Sequence, residues 1–409
     1  MSRTLFQHAT LFPATSEAAI EDGALLIEDD RILLADHADA VRGDPRAADA
    51  NIVDCGGRFI MPGMTETHAH LSFADASPFA IGATPVEEAT ITAVSNARLM
   101  LDSGFTSAIS FGSTYKIDVA LRDAINSGRI VGPRLLAAGR DLGATASNVD
   151  SPGGLSQIAD GPWALRKAVR EQRRDRVDVV KIFIDGENIN PTNPPGELSF
   201  CDEEVSAVVD EAHRRKLRVA CHARSAAAVK QAVRAGVDFI GHANYLDDST
   251  VALLAQREHP VYVGPAIAWE VQYLSQCETL GVSRATAEAQ GYAAEVDATV
   301  TSVAKLRDAG VPMVVGGDYG ISIAPHGTYA KDLEYFVELF HMRPAEALIC
   351  ATRHGGRAMD PDGQLGTLEA QTLADFIVVD GNPLDDIRVL QNHARLTVYK
   401  DGVNHGASG

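Results

Sequence analysis

The stretch Ile60-Met-Pro-Gly-Met-Thr-Glu-Thr-His68-Ala-His70-Leu71 places two histidines two residues apart behind a Pro-Gly turn. In a β-strand, residues i and i+2 point to the same face, so both imidazoles would project to one side. Neutral imidazole is the commonest protein ligand for zinc-like metals. The pair therefore predicts a metal site at the end of a strand, with two surface histidines at a turn as the alternative.

The composition is that of a globular chain with room for one large and one smaller domain. Of 409 residues, 45% are hydrophobic and 22% are charged, which is enough to bury a sizeable core. The formal net charge is −19, and the basic residues form no cluster longer than Arg214-Arg-Lys. Nucleic acid and anionic membrane surfaces are therefore poor partners.

The cysteines and the N-terminus indicate a compartment. Five scattered cysteines, an odd number without any C-x-x-C spacing, favour a reducing environment over a disulfide framework. The first 23 residues lack the apolar segment of a signal peptide, and no run of about 18 apolar residues occurs. We expect a cytoplasmic protein without a membrane partner.

Both ends of the chain have the pattern of short strands. Residues 24–35 read as a hairpin around an acidic turn, and residues 373–383 and 396–403 read as strands closed by Asp-Gly turns. We expect residues 1–60 and 361–409 to pair into one discontinuous β-sandwich domain. Residues 61–360 would then form an inserted catalytic domain.

The middle of the chain alternates apolar strand-like runs with helical segments. Nearly continuous apolar runs are typical of parallel strands that are covered on both faces. The candidate strands are Met64–His70, Phe105–Phe111, Pro133–Ala138, Val177–Ile184, Arg218–His222, Phe239–His242, Val261–Pro265 and Met313–Asp318. Eight strands alternating with helices predict an α/β fold, a (β/α)₈ TIM-type barrel. An open doubly wound sheet is the alternative, but its Gly-rich turn after the first strand is missing from the sequence.

Polar residues fall at the ends of these strands, where barrels carry their chemistry. His222 and His242 end the fifth and sixth candidate strands, and Asp318 ends the eighth. Each alone has a simpler interpretation, since strand-end residues often cap the next helix or loop. Together with His68 and His70 they place four imidazoles and a carboxylate on one rim, which capping does not predict.

Lys181 lies inside the apolar fourth strand. Burying an unpaired ammonium costs several kcal/mol, so this lysine must reach solvent, find a partner or lose its charge. An uncharged amine can add carbon dioxide to become a carbamate, which could bridge two metals. A lysine that extends to solvent at the strand end is the alternative.

The order and type of these residues resemble the ligand set of the amidohydrolase superfamily, in its binuclear subtype with a carboxylated lysine. The matching residues are His68, His70, Lys181, His222, His242 and Asp318. The branch that it resembles most contains Xaa-Pro dipeptidase-like, imidazolonepropionase-like and arylamide- or phenylurea-cleaving hydrolases. Further matching segments are Pro62-Gly63, residues 212–223, His326-Gly327, residues 344–352 and residues 374–383. The chain departs from the family pattern at Gly317-Asp318, where Thr-Asp is commoner, and at Phe200-Cys-Asp202, where Phe-Ser is usual.

The resemblance implies a barrel joined to a β-sandwich from both termini. It also implies two divalent ions, zinc in the default case, a carbon dioxide-derived carbamate on Lys181, a small-molecule substrate and a homo-oligomer. The implied reaction is attack of a hydroxide bridging the metals on a C–N bond in an amide, N-acyl amino acid, dipeptide or urea. Asp318 would carry the proton to the leaving nitrogen.

Four residues outside the ligand set are candidates for contact with the substrate. Arg224 and Tyr245 follow strands five and six, and either could polarise the scissile carbonyl; a structural salt bridge and loop packing are the alternatives. Trp269, beyond strand seven, and His326 are candidate substrate-binding residues. We expect the residues that determine substrate selectivity to lie in the proline-containing loop 185–197 and around Trp269.

Three other functions are weighed against C–N hydrolysis. A cyclic-amide or lactone hydrolase would use the same metals and release one product instead of two. A mononuclear deaminase is disfavoured because Ser225 stands three residues after His222, where that subtype commonly carries Glu. A catalytically inactive structural relative is less favoured, since such proteins usually lose ligands.

Overall fold

The computed structural model describes residues 2–77, 80–150, 154–190 and 192–406. The chain folds as two compact units. The first contains residues 1–66, 98–108 and 327–409, and the second contains residues 67–97 and 109–326.

The β-strands of the described residues are, in chain order, β1 (Arg3–Leu11), β2 (Ile20–Glu28), β3 (Arg31–His37), β4 (Asn51–Asp54), β5 (Phe59–Pro62), β6 (Met64–Ala69), β7 (Phe105–Ser110), β8 (Arg134–Leu136), β9 (Asp141–Gly143), β10 (Ser156–Ile158), β11 (Val179–Phe183), β12 (Arg218–Ser225), β13 (Phe239–Tyr245), β14 (Tyr262–Gly264), β15 (Phe376–Val379), β16 (Leu396–Lys400) and β17 (Val403–Asn404). The α-helices are α1 (Ala38–Arg42), α2 (Val86–Asp102), α3 (Ile117–Asn126), α4 (Pro162–Arg174), α5 (Asp202–His213), α6 (Ala226–Ala235), α7 (Asp248–Ala255), α8 (Ala268–Gln276), α9 (Arg284–Ala289), α10 (Tyr292–Asp308), α11 (Lys331–Glu338), α12 (Pro344–Ile349) and α13 (Gly355–Met359).

The first unit is built on one mixed β-sheet. Its strand order is β17-β16-β15-β5-β1-β2-β3, with β4 beside β1. Strand β5 lies parallel to β1 and antiparallel to β15, so the head and the tail of the chain share this sheet. On its buried face Phe6, Phe376 and Tyr399 pack ring against ring at centroid distances of 4.5 to 5.1 Å.

Two connections in this sheet are of the kind that the sequence predicts. The hairpin predicted at residues 24–35 is confirmed by the antiparallel pairing of β2 with β3. Strands β16 and β17 are joined by Asp401-Gly402, whose φ angles of 53° and 71° match the two-residue turn that suits a right-handed strand twist. The predicted Asp-Gly turn is therefore confirmed there.

The second unit contains a six-stranded parallel sheet with the order β10-β9-β11-β12-β13-β14. Every residue of β11 is buried, as expected for a strand covered on both faces. Strands β6, β7 and β8 form a separate three-stranded sheet. The fold is therefore α/β with parallel sheets, as predicted.

Helix α5 shows how the crossovers cover this sheet. Its start is closed by a capping box, in which the Cys201 backbone N–H donates to Glu204 Oε2 at 2.8 Å. Its stripe of Val205, Val208 and Ala212 is fully buried, as expected for the apolar face of a helix that covers a sheet.

The eighth predicted strand, Met313–Asp318, is wrong as a regular strand. Within the described residues its one β-bridge joins Met313 to Val263, and Asp318 at its end has a φ of 59°, outside the extended region. The segment is nevertheless hydrogen-bonded on both sides. Val314 N–H donates to Val263 at 3.0 Å, and Thr67 N–H donates to Val315 at 3.1 Å.

Two short strands, β9 and β10, were not expected from the sequence. Strand β9 meets β11 at one residue pair, Leu142 with Ile182. Just beyond β8, the carbonyl of Ala137 accepts from Asp178 and Val179 at 2.7 and 3.1 Å. Across the residues that the structure describes, every helix is too short or too polar to cross a bilayer.

Candidate metal centre

His68 and His70 stand at the end of β6, and their ring centroids are 5.2 Å apart. Both side chains are buried. The Nδ1 atom of His70 lies 2.9 Å from the carbonyl oxygen of Gly112, which makes Nδ1 the donor and leaves Nε2 facing the site. A ring fixed in this way is oriented to act as a metal ligand.

His222 and His242 come from the neighbouring strands β12 and β13, and their ring centroids are 4.3 Å apart. Phe183 stacks on His222 at 3.8 Å and holds its plane. His242 and Ala243 have φ angles of 82° and 53°, in a region that non-glycine residues rarely adopt. Backbone strain of this kind clusters at functional sites, where the surrounding structure enforces it.

Asp318 brings a carboxylate to these imidazoles. Its Oδ1 lies 3.0 Å from His70 Nε2 and 3.6 Å from His68 Nε2. Burial by itself would raise the pKa of Asp318, but His68, His70 and Lys181 outweigh burial and hold that pKa well below its ordinary value. The carboxylate is therefore ionised and available as a ligand or proton acceptor.

Lys181, in the middle of β11, is almost completely buried. Its amine donates to the Phe111 carbonyl at 3.2 Å and lies 4.5 Å from the centre of the Phe111 ring. The lysine therefore does not reach solvent, which was the alternative interpretation of its place in the sequence.

A cavity of about 160 Å³ opens over these residues. Its polar lining comes from five of the six predicted ligands, all except His242, and from three further side chains, and its other wall is apolar. The lining residues are His68, His70, Phe73, Ile81, Asp141, Asn148, Val149, Leu155, Lys181, Phe183, Glu187, Ile189, His222, Asp318 and Ile321. A cavity with an apolar wall and convergent polar groups is the common form of a small-molecule site.

The donor atoms fit a divalent metal ion. Among the described residues, Nε2 of His222 and both ring nitrogens of His242 are buried without a hydrogen-bond partner. Burial lowers the pKa of His68, His222 and His242 well below the ordinary value, so these rings are neutral, the form that binds metals. His68, His242 and Asp318 form one group of mutually close donor atoms, and Glu187, His222 and His242 form another.

Arg224 lies beside the cavity but does not line it. Its guanidinium is buried and contacts Glu295, Glu270 and Glu187 at 2.6, 2.7 and 3.3 Å. Burial opposes its charge, but the three carboxylates outweigh burial and hold the pKa of Arg224 above its ordinary value. Its two terminal Nη groups are directed at these carboxylates.

The other predicted substrate residues also lie outside the described cavity lining. Tyr245 is half-buried at the end of β13, and burial raises the pKa of its hydroxyl to about 12. Trp269 packs on Tyr273 in an apolar cluster. His326 Nε2 lies 3.1 Å from the Phe73 carbonyl, and burial lowers the pKa of His326 to about 4. Pro191, within the predicted selectivity loop 185–197, lies outside the described residues.

Two carboxylates of the site, the buried Asp141 and the partly buried Glu187, were not predicted. Asp141 begins β9, and burial raises its pKa to about 6. Glu187 follows β11 and contacts Asn148 and Arg224. Neither carboxylate lies at a regular spacing from another candidate ligand in the sequence. The available signal was that each comes shortly after an apolar run that was assigned to a strand.

Comparison with known proteins identifies relatives over most of the chain. A sequence model described as "Amidohydrolase family" matches residues 59–404. Ochratoxinase of Aspergillus niger is 31% identical over 375 residues, covering 84% of this chain and 75% of its own. Imidazolonepropionase of Methylobacterium sp. is 27% identical over 376 residues, covering 88% of each chain. A crystal structure of a prolidase complexed with N-methylphosphonate-L-proline matches all of both chains with a TM-score of 0.86 and 25% identity.

Proposed function

The chain belongs to the amidohydrolase family, and from this premise we propose that it hydrolyses a C–N bond in a small amide, N-acyl amino acid, dipeptide or urea. The observation that carries this proposal is the convergence of four imidazoles, an ionised carboxylate and a buried lysine, all of which except His242 line one cavity. The prolidase and ochratoxinase relatives support an amide-type substrate.

We propose two divalent ions, zinc in the default case, held by His68, His70, Lys181, His222, His242 and Asp318. When bound, such ions polarise a carbonyl and lower the pKa of water to about 7. Lys181 would carry a carbamate, which is supported by its burial and by the neutral carbonyl and aromatic surroundings of its amine.

Asp318 is the proposed proton carrier. Its carboxylate is ionised, so it can accept a proton at Oδ2 or Oδ1 and return it to the leaving nitrogen. In the cavity this carboxylate stands 3.0 Å from His70 Nε2. The apolar wall, which includes Phe73 and Phe183, would exclude bulk water from the substrate.

For the neighbouring polar groups we propose separate roles. Tyr245 would donate to the carbonyl oxygen of the substrate through its hydroxyl, which burial keeps protonated. Arg224 would position Glu187, since its guanidinium is directed at three carboxylates. Trp269 and His326 would shape the substrate pocket from behind its wall.

A closed (β/α)₈ barrel is the proposed form of the catalytic domain, residues 61–360, with a β-sandwich from residues 1–60 and 361–409. Three sets of hydrogen bonds support closure: Ala137 with Val179, Val263 with Val314, and Val315 with Thr67. They extend the two parallel sheets toward each other at the edges where regular strand pairing ends.

A cyclic amide or lactone is the alternative substrate, supported by the imidazolonepropionase relative. We also propose a homo-oligomer, on the family resemblance, and a cytoplasmic location. The location is supported by the cysteines, all five of which lie in the described residues and outside any disulfide.

The proposed reaction is tested by incubating metal-loaded enzyme with N-acyl amino acids, dipeptides, anilides, phenylureas and cyclic amides. We expect two products from one of the acyclic classes. Asp318→Asn should lower kcat by about 10²–10⁴-fold, the usual loss on removal of an acid–base group. Asp308→Asn, at an exposed carboxylate in α10, is the control and should leave kcat unchanged. A single product from cyclic substrates alone would favour the alternative.

A further inference from the structure

Glu187 belongs to the cavity without belonging to the predicted ligand set. It follows β11 in the chain and lines the cavity beside His222. Its Oε1 lies 3.5 Å from His222 Nδ1, and donor atoms of Glu187, His222 and His242 all lie within 4.8 Å of one another. The carboxylate thus faces the same space as two buried imidazoles.

The distance between Glu187 and His222 fits two ligands of one ion better than a hydrogen bond. Hydrogen bonds from N–H to oxygen are usually about 2.7–3.2 Å long. Two ligand atoms each about 2.1 Å from a tetrahedral ion stand about 3.4 Å apart. The observed 3.5 Å is close to the second value.

The ring nitrogens of His242 are available to bind a metal ion. His242 is 1% exposed, and neither of its ring nitrogens has a hydrogen-bond partner among the described residues. Buried polar atoms of native proteins are nearly always satisfied, so such atoms call for a ligand.

The surroundings of Glu187 hold its carboxylate in place. Arg224 Nη2 contacts Oε1 at 3.3 Å, and Asn148 Nδ2 donates to Oε2 at 3.2 Å. Arg224 is also paired with Glu270 and Glu295, so its single positive charge is shared among three carboxylates and does not fully neutralise Glu187. Metal-binding carboxylates are characteristically oriented by such outer hydrogen bonds.

We propose that Glu187, with His222 and His242, forms a three-ligand position for a divalent cation, making Glu187 a metal ligand beyond the six predicted ones. Two imidazoles and one carboxylate are a known ligand set for zinc in hydrolytic sites, where the remaining position stays open. The inference rests on the proposed metal centre but not on which bond the enzyme cleaves.

The test is a titration of cobalt(II) into chelator-treated full-length protein, followed by elemental analysis and visible absorption. Wild-type protein should bind two equivalents. Glu187→Gln keeps the size and polarity of the side chain but removes its charge, and should weaken one equivalent at least tenfold, as should His222→Asn. Glu197→Gln removes a charge from an exposed position of the same loop and should bind cobalt(II) as the wild type does.

Equal affinity and an identical absorption spectrum for Glu187→Gln and wild type would overturn the proposal. Should Glu187→Gln fail to fold, as judged by circular dichroism, Glu187→Asp replaces it: the shorter side chain keeps the charge but withdraws the carboxylate from the ion, and should also weaken one equivalent. Lys181→Met should still bind cobalt(II) at this position, and the double variant with Glu187→Gln should not. If the wild type binds two equivalents and Glu187→Gln weakens one of them, but the wild type hydrolyses none of the substrates, the result would count against the proposed function alone.

Discussion

At the scale of the residue, two glycines show how closely the centre is packed. Gly241 in β13 and Gly264 in β14 are partners in the sheet register. A Cβ atom on Gly241 would lie 2.8 Å from His68 Cε1, whereas a Cβ on Gly264 would have its nearest neighbour at 3.6 Å. The His68 ring cannot simply retreat, because Phe111 packs on it at 4.2 Å.

We therefore expect Gly241→Ala to displace His68 and to weaken metal binding by about 10–100-fold, the range found when ligand orientation is disturbed. Gly264→Ala is the matched control on the neighbouring strand and should retain its metal. Elemental analysis after dialysis against graded metal concentrations measures both. Wild-type metal affinity in Gly241→Ala would mean that the ring of His68 is free to move.

Sequence reasoning works at this scale where residues repeat at a period. His68 and His70 share a face by their spacing, and strand-end positions pointed to His222 and His242. The carboxylates of Asp141 and Glu187 carry no such period, because each stands alone at the start of a strand or loop. Their place beside the cavity depends on how distant segments meet, which a single sequence does not encode locally.

At the scale of the element, α8 stands behind one wall of the cavity. Trp269 and Tyr273 of this helix pack with Tyr292 in an apolar cluster, and Ile189 and Ile321 pack against that cluster. Both isoleucines also line the cavity. Trp269 is thus positioned to set the shape of the pocket without touching its contents.

Trp269→Ala should change KM or substrate preference and reduce stability by about 3–5 kcal/mol, the usual cost of deleting a buried tryptophan. Metal content should stay at the wild-type level. The chain has one other tryptophan, Trp163, which is 80% exposed in α4, and Trp163→Ala should change neither quantity. Steady-state kinetics with denaturant unfolding gives the comparison, and unchanged kinetics in Trp269→Ala would separate α8 from the pocket.

Elements were predictable where apolar runs are long. Strands β11, β12 and β13 coincide with buried apolar stretches, so their existence followed from the pattern. The strands β9 and β10 have three residues each, too few to establish a period. Residues 313–318 were misjudged because their apolar run ends in Gly316-Gly317-Asp318, and Asp318 adopts a left-handed conformation that does not continue a strand.

At the scale of the whole molecule, all of the proposed ligands fall in the second compact unit. A ligand that binds only the folded state stabilises it by RT ln(1 + [L]/Kd), about 4 kcal/mol at a concentration 1,000 times Kd. Metal should therefore protect this unit specifically against local opening.

Hydrogen exchange with and without a chelator tests this expectation. Peptides from β12 and β13 should exchange faster after metal removal, because they lose the stabilisation that binding provides. Peptides from β15 and β16, in the other unit, serve as the internal control and should exchange at the same rate. Equal acceleration in both sets, or none in either, would contradict a metal centre confined to the second unit.

The pairing of β5 with β15 has a consequence for biosynthesis. Within the same unit, Arg31 donates to Gln364, which lies 333 residues later in the chain. At about 5–20 residues per second, a ribosome would take on the order of tens of seconds to synthesise the missing partner. During that time the nascent sheet would have an unpaired edge at β5, and such edges are prone to pair with other chains. Chaperone protection on the ribosome is therefore expected to matter most for the head of this chain, long before its catalytic ligands have all been translated.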